Sequence, residues 1–300
     1  MKLHMIVFCV ALCLVGPLAR GEEAPDAIVA PTEELVLPEV EFERPSTMWG
    51  RPLTLMQWSY GDGADCDGLS RRLESDRPYF TKSASVVGLG VWQLETGYRY
   101  GREKDYGNES FSSFPDAGLR IGALAEWFEF RLGWTYLVHE STGGLNIDGA
   151  SDPYVGIKIA LTPQDEMLPE MAVLIDTNMS LERNEMEPGV DFIYRWWLND
   201  RWSMGGSSEF RRVSLRRRDS AIGFAQSWIF ERAIGDVLTG YAEWAMISVD
   251  TPPDPDTQQY IDGGLLYLLT DDVQFDVSIG YGLNQLAMDY FCGFGVTIRR

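Results

Sequence analysis

The sequence predicts an all-β protein: a transmembrane antiparallel β-barrel of about twelve strands, preceded by an extended N-terminal segment. Three observations lead there. First, apolar and polar side chains alternate with a period of two along most of the chain after residue 90, the mark of strands with two unlike faces. Second, the polar partners are charged in nearly every strand; a dry sandwich core rejects such groups, and a wet lumen accepts them. Third, after the first 21 residues there is no run of roughly 18 apolar residues, so no membrane helix is expected. Barrel strands need only roughly 9–11 residues with one apolar face.

Residues 1–21 read as a secretory signal. Lys2 and His4 precede an apolar run from Met5 to Val15, and the small Ala19 and Gly21 suit a cut ahead of Glu22. The run is too short to span a bilayer comfortably. An exported chain destined for the outer membrane is expected. Residues 22–80 differ in character: Pro25, Pro31, Pro38, Pro45 and Pro52 stand among many acids with little periodicity. Such a composition favours an irregular segment, expected in the periplasm, and its stretch 48–60 reads as linker despite two tryptophans. Cys9 and Cys13 leave with the signal. Cys66 and Cys292 remain, too few and too scattered for a disulfide framework.

The barrel is expected over 81–300. Its first strand, 91–100, sets Trp92, Leu94, Thr96 and Tyr98 against Gln93, Glu95, Gly97 and Arg99. Strands follow at 117–123, 127–138, 154–161, 171–181, 190–198, 202–211, 222–230, 237–244 and 260–269. In the third, Phe128, Phe130, Leu132 and Trp134 oppose Glu129, Arg131 and Gly133; in the sixth, Phe192, Tyr194 and Trp196 oppose Asp191 and Arg195. The turn Thr270-Asp271-Asp272 leads into a strand with Phe275, Val277 and Ile279 on one face and Gln274, Asp276 and Ser278 on the other. The last strand covers 290–298. An edge left bare at the end of a sheet invites pairing, and closure into a barrel removes it. Connections near 101–115, 139–151, 182–188, 211–219, 245–258 and 283–288 read as long loops, and those between them as short turns. Long loops on one rim and short turns on the other is the outer-membrane pattern, which puts the long loops outside the cell.

The formal net charge is −20, and loss of the signal removes Lys2 and Arg20 and no acid. This balance argues against nucleic-acid binding. The expected partners are outer-membrane lipid and lipopolysaccharide, the barrel-assembly machinery and a small-molecule solute.

The stretch from Asp76 to Tyr100, DRPYFTKSASVVGLGVWQLETGYRY, carries a signature in Asp76, Arg77, Pro78, Phe80, Thr81, Ser83, Gly90, Gln93, Leu94, Glu95 and Gly97. A second block comprises Gly263, Gly264, Tyr267, Thr270, Asp271, Asp272, Gln274, Asp276, Gly280, Gly282 and the closing 290–300. Together they resemble the family of bacterial outer-membrane transporters labelled as phenol-degradation meta-pathway (MetA-pathway) proteins, over roughly residues 74–300. The resemblance implies passage of a small solute, with aromatic or hydrophobic compounds among the possibilities. It departs at the last positions, Arg299 and Arg300, where such chains often end on an aromatic residue.

Alternation with the apolar positions assigns an inward, lumen-lining set: Gln93, Glu95, Arg99, Arg120, Glu129, Arg131, Lys158, Asp176, Asp191, Arg195, Glu209, Glu243, Asp262, Gln274 and Asp276. Their mixed signs suit cross-strand ion pairs, either lining a selective passage or bracing a closed interior. Arg211, Arg212, Arg216, Arg217 and Arg218 form a basic cluster assigned to an outer loop, where guanidinium groups suit phosphate oxygens. No enzyme activity, cofactor or metal site is expected: the mature chain holds a single histidine, His139. Two alternatives to a passive channel stand beside it. One is a closed structural or scaffolding barrel. The other is an outer-membrane lipid hydrolase using His139 and Ser141.

Overall fold

The computed structural model describes residues 54–59, 73–103, 109–141, 144–150, 153–180, 185–215, 220–250 and 255–300, with backbone alone over 137–150. The signal assigned to 1–21, nearly all of 22–72, and Arg216, Arg217 and Arg218 lie outside the described residues.

A short helix, α1 (Leu55–Ser59), lies against the wall strand that begins at Tyr154. Thr54 and Gln57 cap it reciprocally: the Thr54 amide donates to Gln57 Oε1 at 3.0 Å, and the Gln57 amide to Thr54 Oγ1 at 3.3 Å.

The strands are β1 (Trp92–Glu103), β2 (Glu109–Gly122), β3 (Phe128–Ser141), β4 (Gly144–Ala150), β5 (Tyr154–Thr162), β6 (Glu170–Ser180), β7 (Glu185–Trp197), β8 (Trp202–Ser214), β9 (Ser220–Ala233), β10 (Leu238–Val249), β11 (Asp256–Thr270), β12 (Val273–Gly282) and β13 (Tyr290–Arg299). Apart from β4 and β5, which both pair with β3, each pairs antiparallel with its sequence neighbours, and β1 pairs with β13 to close the cylinder. The named strands make twelve staves. β4 and β5 are successive pieces of one stave, since β3 pairs with β4 through Tyr136–Ser141 and with β5 through Phe128–Gly133.

The alternation seen in the sequence is realised as two faces. Phe130, Leu132, Trp134, Phe192, Phe230, Phe275, Val277, Ile279 and Phe294 point outward and are exposed. Their neighbours Glu129, Arg131, Asp191, Glu231, Gln274 and Asp276 point inward and are buried. A greasy exterior on a polar interior is stable only with lipid outside.

Two features differ from expectation. The stretch 139–151, expected as a loop, contains β4 and the end of β3. More broadly, the strands run deep into the stretches assigned to long loops: β2 begins at Glu109, β7 at Glu185 and β11 at Asp256. The asymmetry between rims therefore lies in strand length more than in connection length. In β11 the reason is a start with polar residues on both faces, Asp256 to Gln259. Pairing continues there after the apolar stripe has ended, and periodicity alone does not register it.

Val277 sits mid-strand on the outer face of β12, 50% exposed. Val277→Arg is expected to lower stability by about 2–4 kcal/mol, the cost of a cation at the bilayer midplane. Equilibrium urea unfolding in lipid vesicles measures this, and an unchanged midpoint would show that this face does not meet lipid.

Candidate functional site

The residues between Leu73 and Val91 do not stay outside the barrel. They form a re-entrant segment that enters from the rim of the short connections, turns at mid-height and returns to start β1 at the same rim. The boundary placed at residue 80 falls inside this segment. It has little regular secondary structure, so its form comes from side chains. Glu74 accepts hydrogen bonds from Ser83 and Ser85 at 2.8 and 3.0 Å, and Asp76 accepts one from the Ser83 amide at 2.8 Å. These tie the ascending limb to the descending one.

Contacts from this segment reach every stave. The Asp76 amide donates to Glu95 of β1 at 3.0 Å. Asp76 itself pairs with Arg131 of β3 and lies 3.7 Å from Arg120 of β2. Arg120 also donates to the carbonyls of Glu74 and Ser85, and the Val87 amide donates to Glu129 at 2.8 Å. From β5, Lys158 Nζ donates to the carbonyls of Ser83 and Ser85. Ala84 packs with Ala172 and Leu174 of β6 and Ile193 of β7. Glu74 pairs with Arg195 of β7 at 2.9 Å. Lys82 bridges Asp191 of β7 at 3.0 Å and Glu209 of β8 at 3.1 Å.

The other side of the wall is held in the same way. Tyr79 donates to Glu231 of β9 at 2.8 Å, and Thr81 shares a hydrogen bond with Ser227 at 2.6 Å. Glu243 of β10 accepts the amides of Phe80 and Thr81 at 2.8 and 2.5 Å. Phe80 stacks on Tyr260 of β11. Arg77 reaches Asp116 of β2 at 3.0 Å, Asp276 of β12 at 3.7 Å and the Phe294 carbonyl of β13 at 3.3 Å.

The inward set assigned from the sequence can be located on this wall. Gln93, Glu95, Arg120, Glu129, Arg131, Lys158, Asp176, Asp191, Glu243, Asp262, Gln274 and Asp276 are buried on the inner face, and Arg99, Arg195 and Glu209 are half-buried there. Most of those named above hold the re-entrant segment. Arg211 and Arg212 lie in β8, not on a loop: β8 runs on to Ser214. Arg211 turns inward to Asp176 and Glu209, at 2.5 and 2.6 Å. Arg212 turns outward toward Glu185 at 3.9 Å. Arg299 also turns inward and pairs with Asp272 at 2.9 Å. The backbone of His139 and Ser141 belongs to β3; their side chains lie outside the described residues.

Sequence reasoning missed the segment's own contact residues, Glu74, Tyr79 and Lys82 among them. It also missed Asp116 and Glu231 on the wall. Both sit just past the strand ends assigned from periodicity, Asp116 behind a register shift in β2 between Ser113 and Asp116.

Space remains on both sides of the segment. Toward the short connections lies a cavity of about 70 Å³, bordered by Leu73, Glu74, Tyr194, Arg195 and Trp197. Toward the other rim lies one of about 360 Å³, bordered by Arg77, Phe80, Lys82, Arg99, Asp116, Gly118, Gly133, Tyr154, Asp176 and Arg211. Gly118 and Gly133 pair across β2 and β3; Gly118 faces open space, and the ring of Tyr154 lies over Gly133.

The Lys158 contacts are the simplest to test. Lys158 is fully buried, and its ammonium binds two carbonyls of the descending limb. Charge-assisted hydrogen bonds contribute about 1.5–3 kcal/mol each. Lys158→Met is therefore expected to speed amide hydrogen exchange at 83–87 by about tenfold or more while the strand amides stay protected. Unchanged exchange at 83–87 would show that other contacts hold this limb.

Comparison with known proteins agrees with the fold. An outer membrane channel of Pseudomonas putida F1 superimposes with a TM-score of 0.57 at 9% identity, covering 76% of this chain and 100% of the channel. The NanC porin gives a TM-score of 0.49 at 13% identity, covering 69% of this chain and 98% of the porin. No curated protein matches the sequence. The model of the family described as "Putative MetA-pathway of phenol degradation" matches residues 75–299. With three-quarters of its length inside that match, from the re-entrant segment through the last strand, the chain belongs to this family.

Proposed function

We propose that this protein is an outer-membrane channel for a small solute, with residues 73–90 as the barrier inside it. The observation that carries this reading is the cavity of about 360 Å³ above the barrier, bordered by charged and aromatic side chains alike. A barrel built only to brace an envelope gains nothing from hollow space of that size, whereas a passage needs it. The short-connection rim, where the chain enters the barrel, would face the periplasm, and the larger cavity would face outward. The family description names phenol degradation, which supports an aromatic compound as the solute. The inward residues then have a double role: some hold the barrier, and the remainder, such as Arg99 and Asp176, line the way to it.

A second reading is supported by the same barrier. Every stave is tied to the segment, so the barrel is braced from within, as a closed scaffolding barrel would be. The two readings differ in whether the barrier yields.

Single-channel recording in planar bilayers separates them. The wild type is expected to show small, infrequent conductance steps. Lys82→Ala combined with Glu243→Gln removes the ties to Asp191 and Glu209 and weakens the hold on the Phe80 and Thr81 amides. This variant is expected to conduct more often and in larger steps. If neither protein conducts while both insert, the scaffolding reading replaces the channel.

A further inference from the structure

The ring of Phe80 lies in an apolar recess of a largely polar inner wall. It stacks on Tyr260 with centroids 5.5 Å apart and planes 20° apart. It meets Phe291 edge-on at 5.7 Å and 86°. Ala245 and Ala287 complete the recess, both fully buried, with Ile247 and Met288 against the same cluster. Ala287 and Met288 belong to the connection 283–289, which folds back over the lumen, the Met288 amide donating to the Tyr260 hydroxyl at 3.4 Å. One stacked and one perpendicular partner is the preferred environment of a benzene ring. The recess is thus shaped for a planar ring and not merely greasy.

Phe80 is held there in two separable ways. Its amide is fixed by Glu243 whatever the ring does. Its ring makes the aromatic contacts, and the residue also borders the larger cavity. If the ring swings out, the recess and that cavity become one continuous space.

We propose that this recess is a binding site for the aromatic ring of a solute, and that Phe80 is its built-in competitor. A monocyclic aromatic compound with one polar substituent fits: the ring takes the place of Phe80, and the substituent stays among the charged groups of the cavity. Solute and Phe80 exclude each other. Occupation by the solute leaves the tip of the re-entrant segment without its Phe80 contacts, held by hydrogen bonds to Glu231, Ser227 and Glu243 and by the packing of Tyr79 on Tyr241. The barrier is thereby loosened by the compound it would admit. This assignment rests on the channel reading only for the route by which the solute arrives.

The test is a binding measurement on the full chain in detergent micelles, with 4-fluorophenol as probe and fluorine NMR as readout. A site filled most of the time by its own side chain shows an apparent affinity reduced by the small fraction of time it is open. Phe80→Ala is expected to bind the probe about tenfold more tightly than wild type, or better. Phe80→Ala with Ala245→Phe refills the recess and is expected to return affinity to the wild-type level. Cyclohexanol is expected to compete with the probe less well than phenol does. Equal affinity of wild type and Phe80→Ala would overturn the proposal, as would a double variant that binds like Phe80→Ala. Heat-modifiable gel mobility reports folding. If Phe80→Ala fails that check, Phe80→Leu, which keeps the bulk and loses the plane, takes its place with a smaller gain expected. The readout needs no conduction, so a barrel that never conducts would still show the gain, and a conducting one would not show it by default.

Discussion

The structure depends on one electrostatic constraint: charges inside a barrel, away from bulk water, must find partners within the barrel. The inner wall cannot meet this alone. Asp191 and Glu209 face each other across β7 and β8, and Glu243 stands opposite Asp262 on β10 and β11. Paired acids of this kind repel. The re-entrant segment supplies what is missing. Lys82 goes between Asp191 and Glu209, Arg77 goes to Asp116 and Asp276, and two peptide amides go to Glu243. In return, the wall's Arg131 and Arg195 receive the segment's Asp76 and Glu74. Segment and wall have complementary charge patterns, and each fixes the position of the other.

Glycine makes this fit possible at one point in particular. Gly97 of β1 and Gly295 of β13 pair directly across the closing seam. A Cβ on either would run into the Arg77 guanidinium. The bare patch lets a buried arginine lie flat against the strands and reach the Phe294 carbonyl. Close approach of this kind is what an unsubstituted Cα offers in a strand.

The sequence made the barrel legible because lipid outside and polar groups inside impose a period of two, and a period survives without knowledge of the fold. Phe275, Val277 and Ile279 against Gln274, Asp276 and Ser278 suffice to orient β12. Where that period fades, reading stopped short. β2 was read only from 117, although Asp116 belongs to its inner face behind the register shift, and Glu231 fell just past the end assigned to β9. The re-entrant segment was not legible as such. Arg77, Phe80, Thr81 and Ser83 stood out as a family signature, yet they were placed at the threshold of the barrel and not within it. Irregular backbone has no period, and its contacts join residues far apart in sequence, such as Tyr79 and Glu231. The five proline positions upstream suggested irregular structure, and they lie outside the described residues. The recess around Phe80 was hidden for a related reason: Tyr260, Phe291 and Ala287 come from separate elements, and Phe291 faces inward where aromatics usually face lipid.

Arg77 and Ser75 link the inner face of the seam between β1 and β13, Arg77 through Asp276 and the Phe294 carbonyl, Ser75 through Thr297 at 3.1 Å. These two strands are the first and the last to be made, and the linking residues come just before the first. Biogenesis therefore has an order imposed by geometry. A cylinder zipped shut while hollow would leave Asp276 without Arg77 and would have to admit a folded segment through one rim. Threading before zipping avoids both, so the newborn strands would wrap around residues 73–91 as a mould.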